Sequence, residues 1–276
     1  MKLDMNAVWS RGVALVRENF QLLAVIAGVF ILLPTVAMYF LIPGMEQFIV
    51  PGADPEIVQE KMLEVIGPLL TYGLIGSVIQ FIGYGAMVAL MGDNRPTVGE
   101  ALSTGAKSVL PIIAGFIIFL VLYMVAAIVI VTPIAMLAGA VGVPGLAAIA
   151  PLFVIAVAIF LMSRFSLTMP VVVVDHVYNP LKAVKRSWDL TGPNQWRVMG
   201  FWGILFVAYM VISLLLLGVF GVLAAMFGSG TGGTLILGLS NGLISLAVAI
   251  ILSGLVVAMH AQLSGPSDRQ ISETFE

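Results

Sequence analysis

The sequence predicts an all-α integral membrane protein with six membrane-spanning helices, and three observations carry that prediction. Of its 276 residues, 61% are hydrophobic and 9% charged, where a soluble domain has about 45–50% and about 25%. Its mean hydropathy is +1.13. A water-soluble core could not hide that much apolar surface, so lipid is the solvent for most of the chain. The apolar residues also fall into runs long enough to cross a bilayer, and the basic residues fall almost entirely on alternate sides of those runs.

About 20 apolar residues are needed to span roughly 30 Å of hydrocarbon. Six runs qualify, at about 20–42, 66–91, 109–137, 146–174, 196–227 and 234–263. Several exceed that length, which predicts tilt, kinks or partial unwinding. Pro34, Pro133, Pro151 and Pro170 are the expected kink or end points, because proline lacks the amide hydrogen that a helix interior needs. The breaks between runs are rich in Gly and Pro: Pro43-Gly44, Gly92-Asp93-Asn94-Arg95-Pro96, 139–145 and 228–233.

With six spans, the amino terminus, the second and fourth loops and the carboxyl tail share one side. That side holds all 12 Lys and Arg except Lys61. The first loop carries Glu46, Asp54, Glu56, Glu60 and Glu64, with a solvated acidic face as the plainer reading of that series. The positive-inside rule then predicts a multi-pass protein of a bacterial inner membrane with both termini cytoplasmic. Trp9, Trp188 and Trp196 fall at the same headgroup level. The amphipathic stretch 4–18 precedes a first run too long for a signal peptide, so it is expected to be retained.

The segments before spans one, three and five are amphipathic at helical period. Met5, Val8, Trp9, Gly12, Val13, Val16 and Phe20 form one stripe; Val98, Ala101, Leu102, Gly105 and Val109 a second; Leu181, Val184 and Trp188 a third, opposite Lys182, Lys185, Arg186 and Asp189. Helices of this kind are expected to lie in the membrane interface. Thr97 with Glu100 fits a capping box, and Asn179-Pro180 an N-cap followed by proline at the first helical position. The segments around Arg11 and Arg186 align without a gap, sharing Arg, Leu and Asn. One domain, 1–263, is therefore expected, in three repeats (about 4–91, 97–174 and 179–263) of interfacial amphipathic helix plus transmembrane hairpin. A polar tail, 264–276, follows.

The region 9–34, the turn 92–97 with Ala101, and above all Arg164-x-x-Leu167-x-x-Pro170 followed by Ala183-x-x-x-Ser187-Trp188-x-Leu190-Thr191-x-x-Asn194-x-Trp196-Arg197 form a pattern. It resembles the glycerophosphoryl diester phosphodiesterase membrane-domain family, close to the YciC-like inner-membrane proteins. The resemblance implies a six-span bacterial inner-membrane protein. It brings no phosphodiesterase activity with it, because no stretch outside the spans could hold a barrel of about 250 residues.

Chemistry-bearing residues are few. Without cysteine there are no disulfides, thiolate nucleophiles or Cys-type zinc sites. His176 and His260 are the only histidines, and no metalloprotease, nucleophile-elbow or P-loop pattern occurs. No catalytic residue, metal or cofactor is therefore expected, and the net charge of −2 gives no reason to expect nucleic acid. Arg164 lies inside the fourth run, where an ionisable residue is a functional candidate. Its plainer reading is a snorkelling side chain, or a partner for Asp175 eleven residues on. Lys182, Lys185, Arg186, Trp188, Trp196 and Arg197 join it as candidate contacts for anionic lipid headgroups or partner proteins. Gln80, Tyr84 and Asn241, with Ser240 and Ser253, would line a polar path in a transporter or bond neighbouring helices in a closed bundle. The favoured function is non-catalytic organisation of lipids or partner proteins. A transporter or channel and an accessory subunit of a membrane complex are the alternatives.

Overall fold

The computed structural model describes residues 2–42, 55–94, 96–228 and 230–265, with the backbone alone for 55–63, 144, 146 and 147. Every regular element among them is helical. In order these are α1 (Met5–Ala27), a π-helical segment (Gly28–Leu32), α2 (Leu33–Leu41), α3 (Pro55–Leu90), α4 (Val98–Val141), a 3₁₀ segment (Pro144–Ile149), α5 (Ala150–Phe165) and α6 (Thr168–Val173). After them come α7 (Pro180–Thr191), a 3₁₀ turn (Gly192–Asn194), α8 (Gln195–Met226) and α9 (Thr231–Ser264). Six stretches are long and apolar enough to cross a membrane: Met5–Leu41, Glu64–Leu90, Val98–Val141, Ala150–Val173, Pro180–Met226 and Thr231–Ser264. Each of the six predicted runs falls on one of them and overruns it by at most four residues, and the chain is a multi-pass membrane protein by helix length and hydropathy.

The prolines act through their missing donors. Pro34 cannot bond the Phe30 carbonyl, and the helix widens before it into the π segment, where the Leu33 amide donates to the Gly28 carbonyl. Pro170 likewise leaves the Ser166 carbonyl unbonded, and the fourth span breaks at 166–167 into α5 and α6. Pro133 and Pro111 sit inside an unbroken α4. Gly142 and Gly228, just past the ends of α4 and α8, take positive φ, +68° and +72°, the left-handed conformation that ends many helices.

The amphipathic segments differ in form. The first two continue without a break into their spans, so α4 alone has 44 residues, about 66 Å at 1.5 Å per residue. The third, α7, is a separate helix, detached because Gly192-Pro193 supplies both a flexible residue and a missing amide at the junction. Both predicted caps form. The Thr97 amide donates to Glu100 Oε2 at 2.8 Å and the Glu100 amide to Thr97 Oγ1 at 3.4 Å, while Asn179 Oδ1 accepts from the Lys182 amide at 3.1 Å.

By its contacts the chain divides into two compact units. One comprises Ser10–Val109 and Val207–Val257, and it is assembled on glycines. A Cβ on Gly105 would lie 2.4 Å from the Ile82 carbonyl oxygen, and one on Gly85 would lie 2.8 Å from the Gly105 Cα, so α3 and α4 cross backbone to backbone. A Cβ on Gly254 of α9 would come 2.8 Å from the Gly12 carbonyl oxygen of α1. Phe30 packs on Gly83, Tyr39 on Gly238, and Leu32 with Val36 on Gly242, so the Gly238-x-x-x-Gly242 pair serves close packing. Two predicted stripe members are misplaced: Trp9 and Phe20 are exposed, and Val8, Gly12, Leu15 and Leu23 are the buried line of α1.

The other unit comprises Met1–Trp9, Leu110–Phe206 and Ala258–Glu276. Here α6 is buried through Thr168, Pro170, Val171, Val172 and Val173, with Gly115 of α4 opposite Thr168 and Val184. The inward face of α7 is Ala183, Val184, Ser187 and Thr191. Leu181, expected on that face, points out.

Gly105→Ala forces a methyl into the α3 backbone and is expected to destabilise the protein by about 1–3 kcal/mol. Gly218→Ala, with nothing within 4 Å of its Cβ, should be neutral or stabilising by up to about 1 kcal/mol. Unfolding of both variants in mixed micelles measures the difference, and equal stabilities would refute the glycine crossing.

Candidate functional site: the polar cluster around α7

The chemically distinctive residues gather around α7. Arg164, at the end of α5, is half-buried. Its guanidinium carbon lies 5.7 Å from the Phe160 ring centre and 5.1 Å from that of Trp188, and Nη1 donates to the Trp188 carbonyl at 3.1 Å. That carbonyl belongs to the last turn of α7, where it also accepts from the Gly192 amide and where the helix dipole favours a cation. Gly192 leaves the room: a Cβ there would sit 3.1 Å from Nη1. In return, Ser187 Oγ donates to the Arg164 carbonyl at 2.6 Å. The rings of Phe160 and Phe165 meet Trp188 edge-on. Arg164 Nε, Trp188 Nε1, Thr168 Oγ1 and Gln195 Oε1 are buried here without a hydrogen-bond partner.

The expected Arg164–Asp175 pair does not form. Asp175 Oδ2 instead accepts from Arg186 Nε at 2.7 Å and lies 3.3 Å from His260 Nε2. Arg164 is committed to the carboxyl end of α7, and Asp175, in the loop before that helix, meets Arg186 in its middle. Burial alone would raise the Asp175 pKa. The His260 hydrogen bond and charge, followed by those of Arg186, outweigh it and hold the carboxyl below its ordinary value.

Arg197 also has a structural partner: its Nη1 donates to the Leu3 carbonyl at 2.8 Å, and Asn194 Oδ1 accepts from the Leu3 amide at 2.9 Å. The next amide, of Asp4, donates to Gln262 Oε1 at 3.1 Å. The amino-terminal residues are thereby tied to the start of α8 and the end of α9. Lys182 and Lys185 are exposed and engage no carboxylate among the described residues. Leu181, next to Lys182, is 68% exposed, and Trp196 at the start of α8 is 78% exposed.

The deep polar residues do not assemble. Among the described residues no hydrogen bond joins Gln80, Tyr84 and Asn241. Tyr84 lies near Tyr209 of α8, Ser240 Oγ donates to the Leu237 carbonyl, and Ser253 Oγ is buried without a partner. No group of three metal-capable side chains occurs among the described residues. Glu46, Asp54, Arg95 and Arg269 lie outside the described residues, as do the side chains of Glu56, Glu60 and Lys61.

Sequence reasoning passed over His260, Gln195 and Gln262 as site residues. His260 lies 85 positions from Asp175, and no spacing rule connects them. Ser187 and Asn194 do stand in the motif that carries the family resemblance.

Asp175→Asn removes the shared charge and is expected to cost about 1 kcal/mol at neutral pH. Because folding lowers this carboxyl's pKa, its contribution is present above the unfolded value of about 3.9. It is lost as pH falls through the folded value. Thermal unfolding of both proteins between neutral and acidic pH checks this, and an unchanged gap at acid pH would refute it.

Comparison with protein-family models, curated proteins and solved structures gives no match. The helices themselves thus carry the assignment: this chain is a multi-pass membrane protein with six candidate transmembrane helices.

Proposed function

We propose that this is a non-catalytic protein of a bacterial inner membrane that gathers anionic lipid at its cytoplasmic face through α7, with both termini cytoplasmic. The observation that carries the reading is the outer face of α7. It presents Leu181, Lys182 and Lys185 outward, the two lysines in no ion pair among the described residues, and Trp196 at the start of α8 is exposed as well. A helix facing water gains nothing from an outward Leu and Trp. A helix at the boundary of headgroups and acyl chains uses both, with lysines reaching phosphates and apolar groups reaching the chains. The likeness of residues 164–197 to the glycerophosphoryl diester phosphodiesterase membrane-domain family supports the inner-membrane assignment and adds no hydrolase.

A threefold repeat fits the contacts as well. Each amphipathic segment meets the end of an even-numbered span through a small residue: Gly105 meets Gly85 of the second span, and Ser187 the Arg164 carbonyl of the fourth. Gly12 meets Gly254 of the sixth, and Ser187 is the residue that aligns with Gly12 in sequence.

Lys182→Gln with Lys185→Gln removes about 1 kcal/mol of lipid attraction per charge. Phosphatidylglycerol affinity should fall by up to roughly thirty-fold, read by native mass spectrometry of the purified protein. Unchanged retention would sink the proposal. The absence of cysteine permits a clean topology test. Lys61→Cys should react with an impermeant maleimide from the periplasmic side, and Ser267→Cys only after lysis. The opposite pattern would invert the orientation.

A further inference from the structure

We propose that Asp175, His260 and Arg186 form a proton-sensitive clasp that sets how much positive charge α7 offers to anionic headgroups, so that affinity for anionic lipid rises as pH falls. The inference rests on the lipid-binding reading of α7 and assigns its regulation.

The geometry is one acceptor with two donors. Arg186 Nε at 2.7 Å and His260 Nε2 at 3.3 Å converge on the same oxygen, Asp175 Oδ2. The three side chains differ sharply in exposure: 48% for Arg186, 20% for Asp175 and 6% for His260. They also come from separate elements, namely the loop before α7, α7 itself and the last turns of α9. With a neutral imidazole, Asp175 cancels Arg186, and Lys182, Lys185 and Asp189 are the remaining exposed charges of α7. Taking a proton from water makes the imidazole a buried cation, and Asp175 is the ring's one ion-pair or hydrogen-bond partner among the described residues. A buried charge is costly without its partner, whereas Arg186, half in solvent, has phosphates and water as alternatives. Protonation therefore draws the carboxylate toward His260 and releases Arg186 to the headgroups.

Other charged groups nearby are occupied or turned outward. His176 Nδ1 and the Tyr178 hydroxyl meet at 3.4 Å. The Asp4 carboxylate accepts from the Asn6 and Ala7 amides, and Gln262, two positions from His260, is engaged by the Asp4 amide. Lys182, Lys185 and Asp189 of α7 are exposed.

The test uses the full chain in phosphatidylcholine nanodiscs, titrated with fluorescent phosphatidylglycerol at about pH 8 and about pH 5.5, with fluorescent phosphatidylcholine as control. The wild type should bind phosphatidylglycerol roughly five-fold more tightly at the lower pH, the worth of one released charge. His260→Gln should stay at the high-pH affinity throughout, and Asp175→Asn should show the tighter affinity at both. Arg186→Gln, a change at a half-exposed position, should lose the step and keeps the test decisive if the buried histidine variant does not fold. A pH step that survives Arg186→Gln or His260→Gln overturns the clasp. A wild type that is flat with pH yet prefers phosphatidylglycerol through Lys182 and Lys185 overturns the clasp and leaves the lipid reading standing. No preference over phosphatidylcholine at either pH overturns both.

Discussion

Lipid gives apolar side chains no reason to leave it, and the rest of this structure depends on that constraint. Acyl chains are as apolar as leucine, so helices in a bilayer associate through close van der Waals contact and polar bonds rather than through expulsion of water. The pattern of exposure follows. Large residues such as Leu110, Leu152, Ile204 and Leu215 stand outward, while the helix crossings are made by Gly12, Gly85, Gly105 and Gly254. Removing Cβ lets two backbones approach until dispersion contacts accumulate over the whole crossing. Glycine in a helix is otherwise a liability of roughly 1 kcal/mol. Its use at these crossings shows which term is larger here.

The same constraint keeps charge out of the long apolar runs, and two arginines that lie beside them are held by something other than an ion pair. Arg164 is held by two aromatic faces and a carbonyl, and Arg197 by the Leu3 carbonyl. These arrangements let a guanidinium sit close to hydrocarbon without a carboxylate, which would itself need desolvation. Arg186 alone among the described arginines has a carboxylate partner, and it is also half-exposed. Arg164 and Arg197 thus fasten elements to one another, while Lys182 and Lys185 stay on the surface without a carboxylate partner among the described residues.

Features governed by neighbours in sequence were legible. Run length located all six candidate spans, because crossing hydrocarbon is a condition on consecutive residues. The caps at Thr97 and Asn179 formed as expected, because a cap closes within four positions. Periodicity failed at Trp9, Phe20 and Leu181, and the reason is physical. An apolar stripe marks the buried face of a helix in water, but beside lipid a large apolar residue can also stand outward, and the small residues Gly12, Ala183 and Ser187 are surer marks of the contact. Partners far apart in sequence were not legible either. Asp175 stands eleven positions from both Arg164 and Arg186, so spacing could not choose between them, and its second partner, His260, lies 85 positions away.

The detachment of α7 gives this helix its distinct standing. In α1 and α4 the amphipathic segment runs on into a span without a loop between them. α7 has a loop before it and a Gly-Pro turn after it, and its position is set by side chains instead. On its inner side Ala183, Val184 and Ser187 are fully or nearly buried, and the carbonyls of Trp188 and Arg164 are tied by Arg164 Nη1 and Ser187 Oγ. Both bonds are part-buried. The bond from Arg186 to Asp175 lies at the margin of the same helix, with 48% of the Arg186 side chain exposed. α7 is therefore fastened more firmly along its inner face than at its edge, because a bond open to solvent gains less over its water-bonded alternative than one withdrawn from it.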